Sequence, residues 1–297
     1  MGKIYDNMSE LVKRTLSGAV FVAAVVASIL WSSYAFHVLF TLFCVLAVDE
    51  YHRLVKSPRA LRIYSFTATL LLCVTIQCMA WRIEGSEENF YVFGFCFSFG
   101  YLLLIVFALL DEIWNHSERP LESWGNLLIS QVMIALPLAT LEFLYFLDRY
   151  LLLALFVLIW INDTGAYCVG SSTAKLPKGN HKMTPHISPK KSWEGLAGGF
   201  IFTMVAALLL HYFGWFDTIA SSETGVLVPC LFAFLVSAFG TMGDLMESLF
   251  KRSIGVKDSG KFLPGHGGVL DRFDSVLLAG PIITAFCWVC YLIAPLF

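Results

Sequence analysis

Apolar stretches close to the length of a membrane-crossing helix alternate with short polar segments along the whole chain of 297 residues. A helix needs about 17–25 predominantly apolar residues to cross the hydrocarbon core of a bilayer. The pattern predicts nine such helices, at about residues 15–31, 34–48, 63–81, 90–110, 124–147, 150–168, 193–213, 226–246 and 275–296. We therefore expect an all-α, polytopic integral membrane protein.

The composition supports this fold class. Hydrophobic residues make up 58% of the chain and charged residues only 14%, whereas a soluble domain of this length needs more polar surface. All eight cysteines lie in or at the ends of the predicted spans. Their positions argue against a disulfide framework and against a zinc site.

The basic residues are distributed unevenly between the two sides of the predicted membrane. With the N-terminus inside, 18 of the 20 Lys and Arg residues fall in cytoplasmic segments, and only Arg82 and Arg149 fall outside. An excess of Lys and Arg is typical of cytoplasmic loops. We expect an N-in, C-out chain with spans one to five in residues 1–150. Residues 151–297 hold spans six to nine and the cytoplasmic loops 169–192 and 247–274.

Acidic residues near the ends of four spans fall on the same predicted side. They are Asp49, Glu50, Asp163, Asp244, Glu247, Asp271 and Asp274. Ionised groups beside a bilayer are costly unless something there has to be bound. We therefore expect these carboxylates to converge on one cavity that faces the cytoplasm, with Asp163 and Asp244 close to Asp258 or Asp271.

The segment Ser248 to Asp274, here called the signature segment, combines five Lys and Arg residues, three Asp residues and a Gly-His-Gly-Gly turn. Glycines let backbone N–H groups approach phosphate, Lys and Arg neutralise phosphate charge, and Asp supplies oxygen ligands for Mg²⁺. If span eight continues as a helix, Asp244, Ser248, Lys251 and Arg252 share one face. The alternative is a basic cap that reaches from the helix end to the interface.

Other residues of the segment also have two interpretations. His266 could donate to a phosphate or to a leaving pyrophosphate, or it could be a structural turn residue. Asp274 could bind a metal ion or stabilise the first turn of span nine, because Asp suits a helix N-terminus. For Lys190 and Lys191, which lie before span seven, the alternatives are phosphate binding and the general excess of basic residues in cytoplasmic loops.

The signature segment resembles that of the phosphatidate cytidylyltransferases, also called CDP-diacylglycerol synthases. The matching residues are Ser248, Lys251, Arg252, Lys257, Asp258, Gly260, Leu263, Pro264, His266, Gly267, Gly268, Val269, Asp271, Arg272, Phe273 and Asp274. A second similarity covers Asp163-Thr164-Gly165-Ala166-Tyr167 and Ser188-Pro189-Lys190-Lys191-Ser192-Trp193-Glu194-Gly195, where Ser192 stands at a usual Thr. The resemblance covers residues 155–280 well, and the first 150 residues match only in hydropathy.

The resemblance implies that residues 151–297 are catalytic and that CTP and phosphatidate give CDP-diacylglycerol and pyrophosphate. The implied catalytic residues are Lys251, Arg252, Lys257, His266 and Arg272. The implied substrate-binding residues are Asp163, Ser188, Lys190, Lys191, Ser248, Gly267 and Gly268, and the implied metal ligands are Asp244, Asp258, Asp271 and Asp274. The metal would be Mg²⁺, with room left for a second monovalent or divalent cation.

The resemblance also implies a homodimer in the cell membrane that binds no nucleic acid and whose active site faces the cytoplasm. Two other functions stay open. One is a CTP-dependent transferase or kinase that acts on another lipid phosphate or alcohol. The other is a transporter, which the nearly charge-free centres of the predicted spans disfavour, because transporters need polar or broken helices there.

Overall fold

The structure is a computed structural model that describes residues 2–83, 89–114, 118–177, 179–220, 225–260, 262 and 267–293, without the side chains of 2–11, 13, 14, 81–83 and 89–91. Within these ranges, eight helices are long and apolar enough to cross a membrane, and Thr15–Trp31 is a shorter apolar helix. The prediction of an all-α polytopic membrane protein is confirmed. The count of nine spans and the N-in, C-out orientation stay predictions.

The chain packs as two compact units. Unit 1 comprises residues 1–142 and 254–273, and unit 2 comprises residues 143–253 and 274–297. The signature segment is therefore divided, because residues 248–253 and Asp274 belong to unit 2 and residues 254–273 to unit 1. The expected division into an N-terminal part, residues 1–150, and a catalytic part, residues 151–297, concerns function rather than packing and stays a prediction.

Unit 1 contains the helices of the N-terminal part of the chain. They are α1 (Gly2–Trp31), α2 (Ser33–Leu54), α3 (Arg59–Ile83), α4 (Asn89–Trp114), α5 (Pro120–Ile129), a π-helical segment (Ser130–Ala135) and most of α6 (Leu136–Leu147). The short helix α10 (Leu270–Phe273) joins them late in the sequence. Its Phe273 is fully buried, with its ring centroid 5.3 Å from that of Phe43 and 5.8 Å from that of Phe21. This aromatic contact anchors the end of the signature segment on α1 and α2.

Unit 2 contains α7 (Arg149–Thr173), the strands β1 (Lys182–Thr184) and β2 (Ser188–Ser192), α8 (Trp193–Tyr212), α9 (Leu227–Ser253) and α11 (Val276–Ile293). The helices α7 and α8 approach closely because glycines face their partners. A Cβ built on Gly165 would lie 2.9 Å from Phe202, and one on Gly199 would lie 2.8 Å from the backbone oxygen of Asn162. This close packing fixes the position of α7 relative to α8, and with it the ends of the segment that connects the two helices.

The connection between α7 and α8 contains an antiparallel β-hairpin where the sequence indicates only a cytoplasmic loop. The hairpin leads directly into α8, whose N-terminus is capped by Ser192, since its Oγ accepts a hydrogen bond from Gly195 N–H at 3.1 Å. An N-cap of this kind satisfies a backbone donor that has no partner within the helix. The cap fixes the position of Lys190 and Lys191, which immediately precede it.

Candidate functional site

The helix α9 continues to Ser253, so the predicted column of polar residues does lie on a continuous helix. Ser248 Oγ donates a hydrogen bond to Asp244 Oδ1 at 3.3 Å. One turn further on, Lys251 forms an ion pair with the buried carboxylate of Glu247. Arg252 Nε donates to the backbone oxygen of Ile187 at 3.4 Å and so connects α9 to the hairpin turn. The column is therefore a connected polar surface within unit 2.

A cavity of about 360 Å³ lies in unit 2. Its walls come from α7, the hairpin, the start of α8 and the middle of α9, and its lining residues are Asn162, Asp163, Ala166, Tyr167, Met183, Lys190, Lys191, Ser192, Gly195, Leu196, Thr241 and Asp244. Four residues selected from three separate parts of the sequence meet here, namely Asp163, Lys190, Lys191 and Asp244. We call this space the unit 2 cavity.

The unit 2 cavity combines cations with carboxylates. Lys191 Nζ lies 2.7 Å from Asp244 Oδ2 and also donates to the backbone oxygen of Thr241 at 3.4 Å. Lys190 is exposed and has no ion pair among the described residues. One lysine is thus held against the carboxylate, while the other extends from the same wall toward solvent.

Asp274, the last residue of the signature segment, lies near the acidic residues of this cavity. Burial raises the pKa of Asp274 to about 7, with further contributions from the charges of Asp244 and Asp163 and an opposing one from Lys251. Its Oδ1 also accepts a hydrogen bond from Ser275 N–H at 2.6 Å, just before α11 begins. Three carboxylates therefore repel one another in unit 2, and a bound cation would relieve this repulsion.

Asp271 has a different environment, in unit 1. Its Oδ2 accepts hydrogen bonds from the backbone N–H groups of Ser259 and Gly268, each at 2.8 Å. Its own N–H donates to Ser259 Oγ at 3.3 Å. Gly267 has φ of +82°, and a Cβ there would collide with the Asp271 carboxylate. Asp271 therefore ties together two parts of the signature segment.

Sequence reasoning missed a contact made by Glu50, near the C-terminal end of α2. Its Oε2 accepts a hydrogen bond from Val269 N–H at 2.7 Å. A cavity of about 370 Å³ in unit 1 is lined by Leu46, Asp49, Glu50, Arg53, Ser259, Gly260, Phe262 and Val269. The only sequence signal was that Glu50 is acidic and falls on the same predicted membrane side as the signature segment.

Most of the remaining predicted residues are exposed or half-buried. Lys257 and Asp258 are exposed in unit 1, Arg272 is half-buried there, and Ser188 is half-buried at the start of β2 in unit 2. His266 lies outside the described residues. The expectation that Asp163 and Asp244 lie near Asp258 or Asp271 involves residues of both units and stays a prediction.

The donor chemistry of unit 2 suits a magnesium ion in part. Among the described residues, no group of three or more His, Cys, Asp or Glu side chains is arranged as a ready-made metal site. Mg²⁺ is commonly bound by one or two carboxylates together with waters and substrate phosphates, so a complete protein cage is not needed. Asp244 and Asp274, whose charges interact, fit such a partial set of oxygen ligands.

Comparison with known proteins matches residues 12–290 to the model of the Cytidylyltransferase family, and the chain belongs to this family. A phosphatidate cytidylyltransferase of Staphylococcus epidermidis (strain ATCC 12228) is 41% identical over 147 residues, which are 48% of this chain and 52% of that protein. One from Staphylococcus aureus (strain COL) is 44% identical over 135 residues, or 46% of this chain and 47% of that protein. The chain thus spans about half the length of the curated relatives it matches.

Proposed function

We propose that this protein transfers the CMP group of CTP to phosphatidate and produces CDP-diacylglycerol and pyrophosphate. The observation that supports this most directly is the unit 2 cavity, where Asp163, Asp244, Lys190 and Lys191 meet. Membership of the Cytidylyltransferase family and the names of the relatives agree with this chemistry. Cations beside carboxylates suit a substrate that brings both phosphate groups and a divalent metal ion.

In the proposed reaction, a phosphate oxygen of phosphatidate attacks the α-phosphorus of CTP. A new P–O bond forms there, the bond between the α-phosphorus and the bridging oxygen breaks, and pyrophosphate leaves with that oxygen. The lipid phosphate is already an oxyanion, so the step needs no general base. The work of the protein is then to align the two phosphates and to neutralise their charge.

We assign this work to the basic residues of the signature segment and of the hairpin. Lys190 and Lys191 capture a substrate phosphate, because they line the unit 2 cavity. Lys251, Arg252, Lys257 and Arg272 neutralise the triphosphate and the incoming lipid phosphate, and His266 assists the departing pyrophosphate. Ser188 and Ser248 contribute hydroxyl groups to substrate binding.

The glycines have a more specific role in this proposal. Gly268 N–H already donates to Asp271. We therefore propose that Gly268 contributes through the absence of a side chain rather than through its N–H group. Gly267 provides the left-handed turn that brings the backbone near the phosphates.

Asp244 and Asp274 are the proposed ligands for Mg²⁺ in unit 2, and Asp258 and Asp271 are the proposed ligands in unit 1. When bound, the metal ion would neutralise charge on the CTP phosphates and polarise them. Asp163 stays a substrate-binding residue in this scheme. A second cation, monovalent or divalent, would further offset the negative charge of the carboxylates.

We further propose that the protein is a homodimer in the cell membrane, that its active site faces the cytoplasm and that it binds no nucleic acid. CTP is a cytoplasmic substrate and phosphatidate is a membrane lipid, so a site at the cytoplasmic face can receive both. The excess of Lys and Arg in loops 169–192 and 247–274 supports this orientation.

The test is an assay of the purified full chain in detergent with CTP, Mg²⁺ and phosphatidate. We expect CDP-diacylglycerol and pyrophosphate to form in equal amounts, and neither to form without phosphatidate. Asp244→Asn is the control for site-dependent activity, since it removes the carboxylate that pairs with Lys191. Formation of CDP and phosphatidate from CTP and diacylglycerol would indicate a lipid kinase instead and would overturn the proposal.

A further inference from the structure

The part of the signature segment that belongs to unit 1 contacts a carboxylate from a distant part of the chain. Glu50 lies near the C-terminal end of α2, and its Oε2 accepts the N–H of Val269, a residue 219 positions later. We propose that Glu50 is a positioning residue that holds the glycine-containing turn of the signature segment in the shape required for CMP transfer. This inference rests on the proposed function.

The first support is the fit between Glu50 and two glycines. A Cβ built on Gly260 would lie 2.5 Å from Glu50 Oε1 and 2.9 Å from its Cδ. A Cβ built on Gly268 would collide with the same carboxylate. Glycine is therefore required at both positions while Glu50 occupies this space, which couples a residue of α2 to the glycine pattern of the signature segment.

The second support is that Glu50 works beside Asp271. Asp271 accepts the N–H of Gly268, and Glu50 accepts the N–H of the next residue, Val269. Asp271 also accepts the N–H of Ser259, which precedes Gly260. Two carboxylates thus fix consecutive backbone donors of one turn, and hydrogen bonds to ionised acceptors are stronger than neutral ones.

The third support is the neighbourhood of the turn. Lys257 and Asp258 immediately precede Ser259, and Arg272 immediately follows Asp271. All three are assigned to the proposed reaction. Lys257 and Asp258 lie one or two positions before Ser259, whose N–H donates to Asp271, and Arg272 is the next residue after Asp271. Small displacements of catalytic groups cost large factors in rate. A change at Glu50 should therefore reach the reaction through the backbone, without any contact between Glu50 and substrate.

The main experiment compares Glu50→Ala and Glu50→Gln with the wild-type full chain in detergent. Hydrogen–deuterium exchange of peptides that cover residues 255–270 reports on the turn, and kcat and KM for both substrates report on the reaction. In Glu50→Ala we expect faster exchange in this segment and a kcat reduced about tenfold or more, with a smaller change in KM. Glu50→Gln has a side chain of the same length and keeps an acceptor oxygen, so its exchange rate and its kcat should both lie closer to those of the wild type.

Glu122→Gln is the matched control in the same unit. Glu122 is exposed on α5, where its carboxylate lies 3.4 Å from Arg119, three residues earlier on the same exposed surface. It should leave both exchange in residues 255–270 and kcat unchanged. Wild-type exchange and wild-type kcat in Glu50→Ala would overturn the inference. A loss of activity in Glu50→Ala without faster exchange in residues 255–270 would also overturn it, because Glu50 would then act in some other way.

A second set of variants covers the case in which Glu50→Ala does not fold. Gly260→Ala introduces a methyl group whose nearest neighbour is Glu50. Its effect on kcat should be at least threefold smaller when Glu50 is shortened to Asp in the same molecule, because residues in contact show non-additive effects. If the effects of Gly260→Ala and Glu50→Asp on kcat simply multiply in the double variant, the inference is overturned. If the wild-type protein shows no CMP transfer, the proposed function is wrong. The exchange measurements would still test whether Glu50 holds the turn in place.

Discussion

The turn around Asp271 in unit 1 and the acidic residues around Asp244 in unit 2 use carboxylates in opposite ways. In unit 1, Asp271 and Glu50 accept hydrogen bonds from the backbone N–H groups of Ser259, Gly268 and Val269. In unit 2, Asp274 lies close enough to Asp244 and Asp163 for their charges to raise its pKa. The hydrogen bonds in unit 1 favour the ionised form of Asp271, whereas the repulsion in unit 2 disfavours the ionised form of Asp274 until a cation is bound.

The two environments should therefore affect stability differently, although both Asp271 and Asp274 are proposed metal ligands. Asp271 and Asp274 are only three positions apart and belong to the same signature segment, and the sequence indicates metal binding as a possible role for both. A group held in an unfavourable environment lowers stability and is retained where function needs it. We therefore expect substitutions of these two Asp residues to change stability in opposite directions.

The largest expected effect is a difference in labelling between the two sides of the membrane. Cysteines introduced as His186→Cys in unit 2 and Phe262→Cys in unit 1 should react with an impermeant maleimide only from the cytoplasm, because both lie in basic loops. The exposed native Cys96 and Cys168 are first changed to Ser. Labelling of either introduced cysteine from outside would contradict the predicted orientation.

The next effect concerns Asp274. Its pKa is raised to about 7 in the folded protein from a usual value of 3.8, so the unfolded chain loses this proton at lower pH than the folded chain. The stability of the wild type should therefore fall as the pH rises from about 4 to about 7, and then change no further through this group. Asp274→Asn cannot ionise and should remove this dependence.

Thermal unfolding in detergent without divalent metal ions measures this prediction. Asp274→Asn should be more stable than the wild type at pH 8, with little difference between them near pH 4. The same variant should lose CMP transfer by about 10²-fold or more, since a metal-binding carboxylate acts mainly in the transition state. A variant with the wild-type dependence on pH would show that the repulsion among these carboxylates has no thermodynamic consequence.

Hydropathy predicted the helices well, because each span must satisfy its backbone internally and its apolar side chains dominate the sequence. The predicted span 193–213 is α8, Trp193–Tyr212, and the predicted span 226–246 is the first part of α9. The shared face of Asp244, Ser248 and Lys251 depended on span eight continuing as a helix past the predicted interface, and α9 does continue to Ser253. The hairpin was missed, because strands of three and five mainly polar residues have no clear alternation.

The candidate site could be predicted only where the residue types themselves indicate phosphate or metal chemistry. That reasoning selected Asp163, Lys190, Lys191 and Asp244, which meet in the unit 2 cavity. The contact of Glu50 was not predicted, because Glu50 and Val269 are 219 positions apart. The local sequence of α2 does not indicate a hydrogen bond to a distant backbone group. Pairings of this kind depend on helix packing.

A smaller effect is expected for Asp271→Asn, which keeps the shape of the side chain and removes its charge. The two N–H groups that donate to Oδ2 would then meet a weaker acceptor, so the free energy of unfolding should fall by about 1–3 kcal/mol. Asp258→Asn is the matched control, because Asp258 is exposed and lies in the same segment. It should reduce activity as a proposed metal ligand while stability stays within about 0.5 kcal/mol.

Saturating Mg²⁺ separates the two roles of Asp271. If Asp271→Asn folds, inserts and keeps near-normal turnover under that condition, the carboxylate of Asp271 is structural. The proposed metal ligands are then Asp244, Asp258 and Asp274. If turnover stays low at every Mg²⁺ concentration while Asp258→Asn behaves in the same way, the assignment of both as ligands is strengthened.

The smallest effect is expected at the two lysines of the unit 2 cavity, which differ in their contacts. Lys190 is exposed, so Lys190→Ala should mainly weaken substrate capture and raise KM a few-fold, with kcat nearly unchanged. Lys191 lies 2.7 Å from Asp244, so Lys191→Ala should lower kcat as well, because it leaves this carboxylate without its cation. Steady-state kinetics with each substrate varied in turn measure both parameters. Equal effects of the two substitutions on kcat would mean that the Lys191–Asp244 pair has no special role, and the contrast between the two regions would then rest on Asp274 alone.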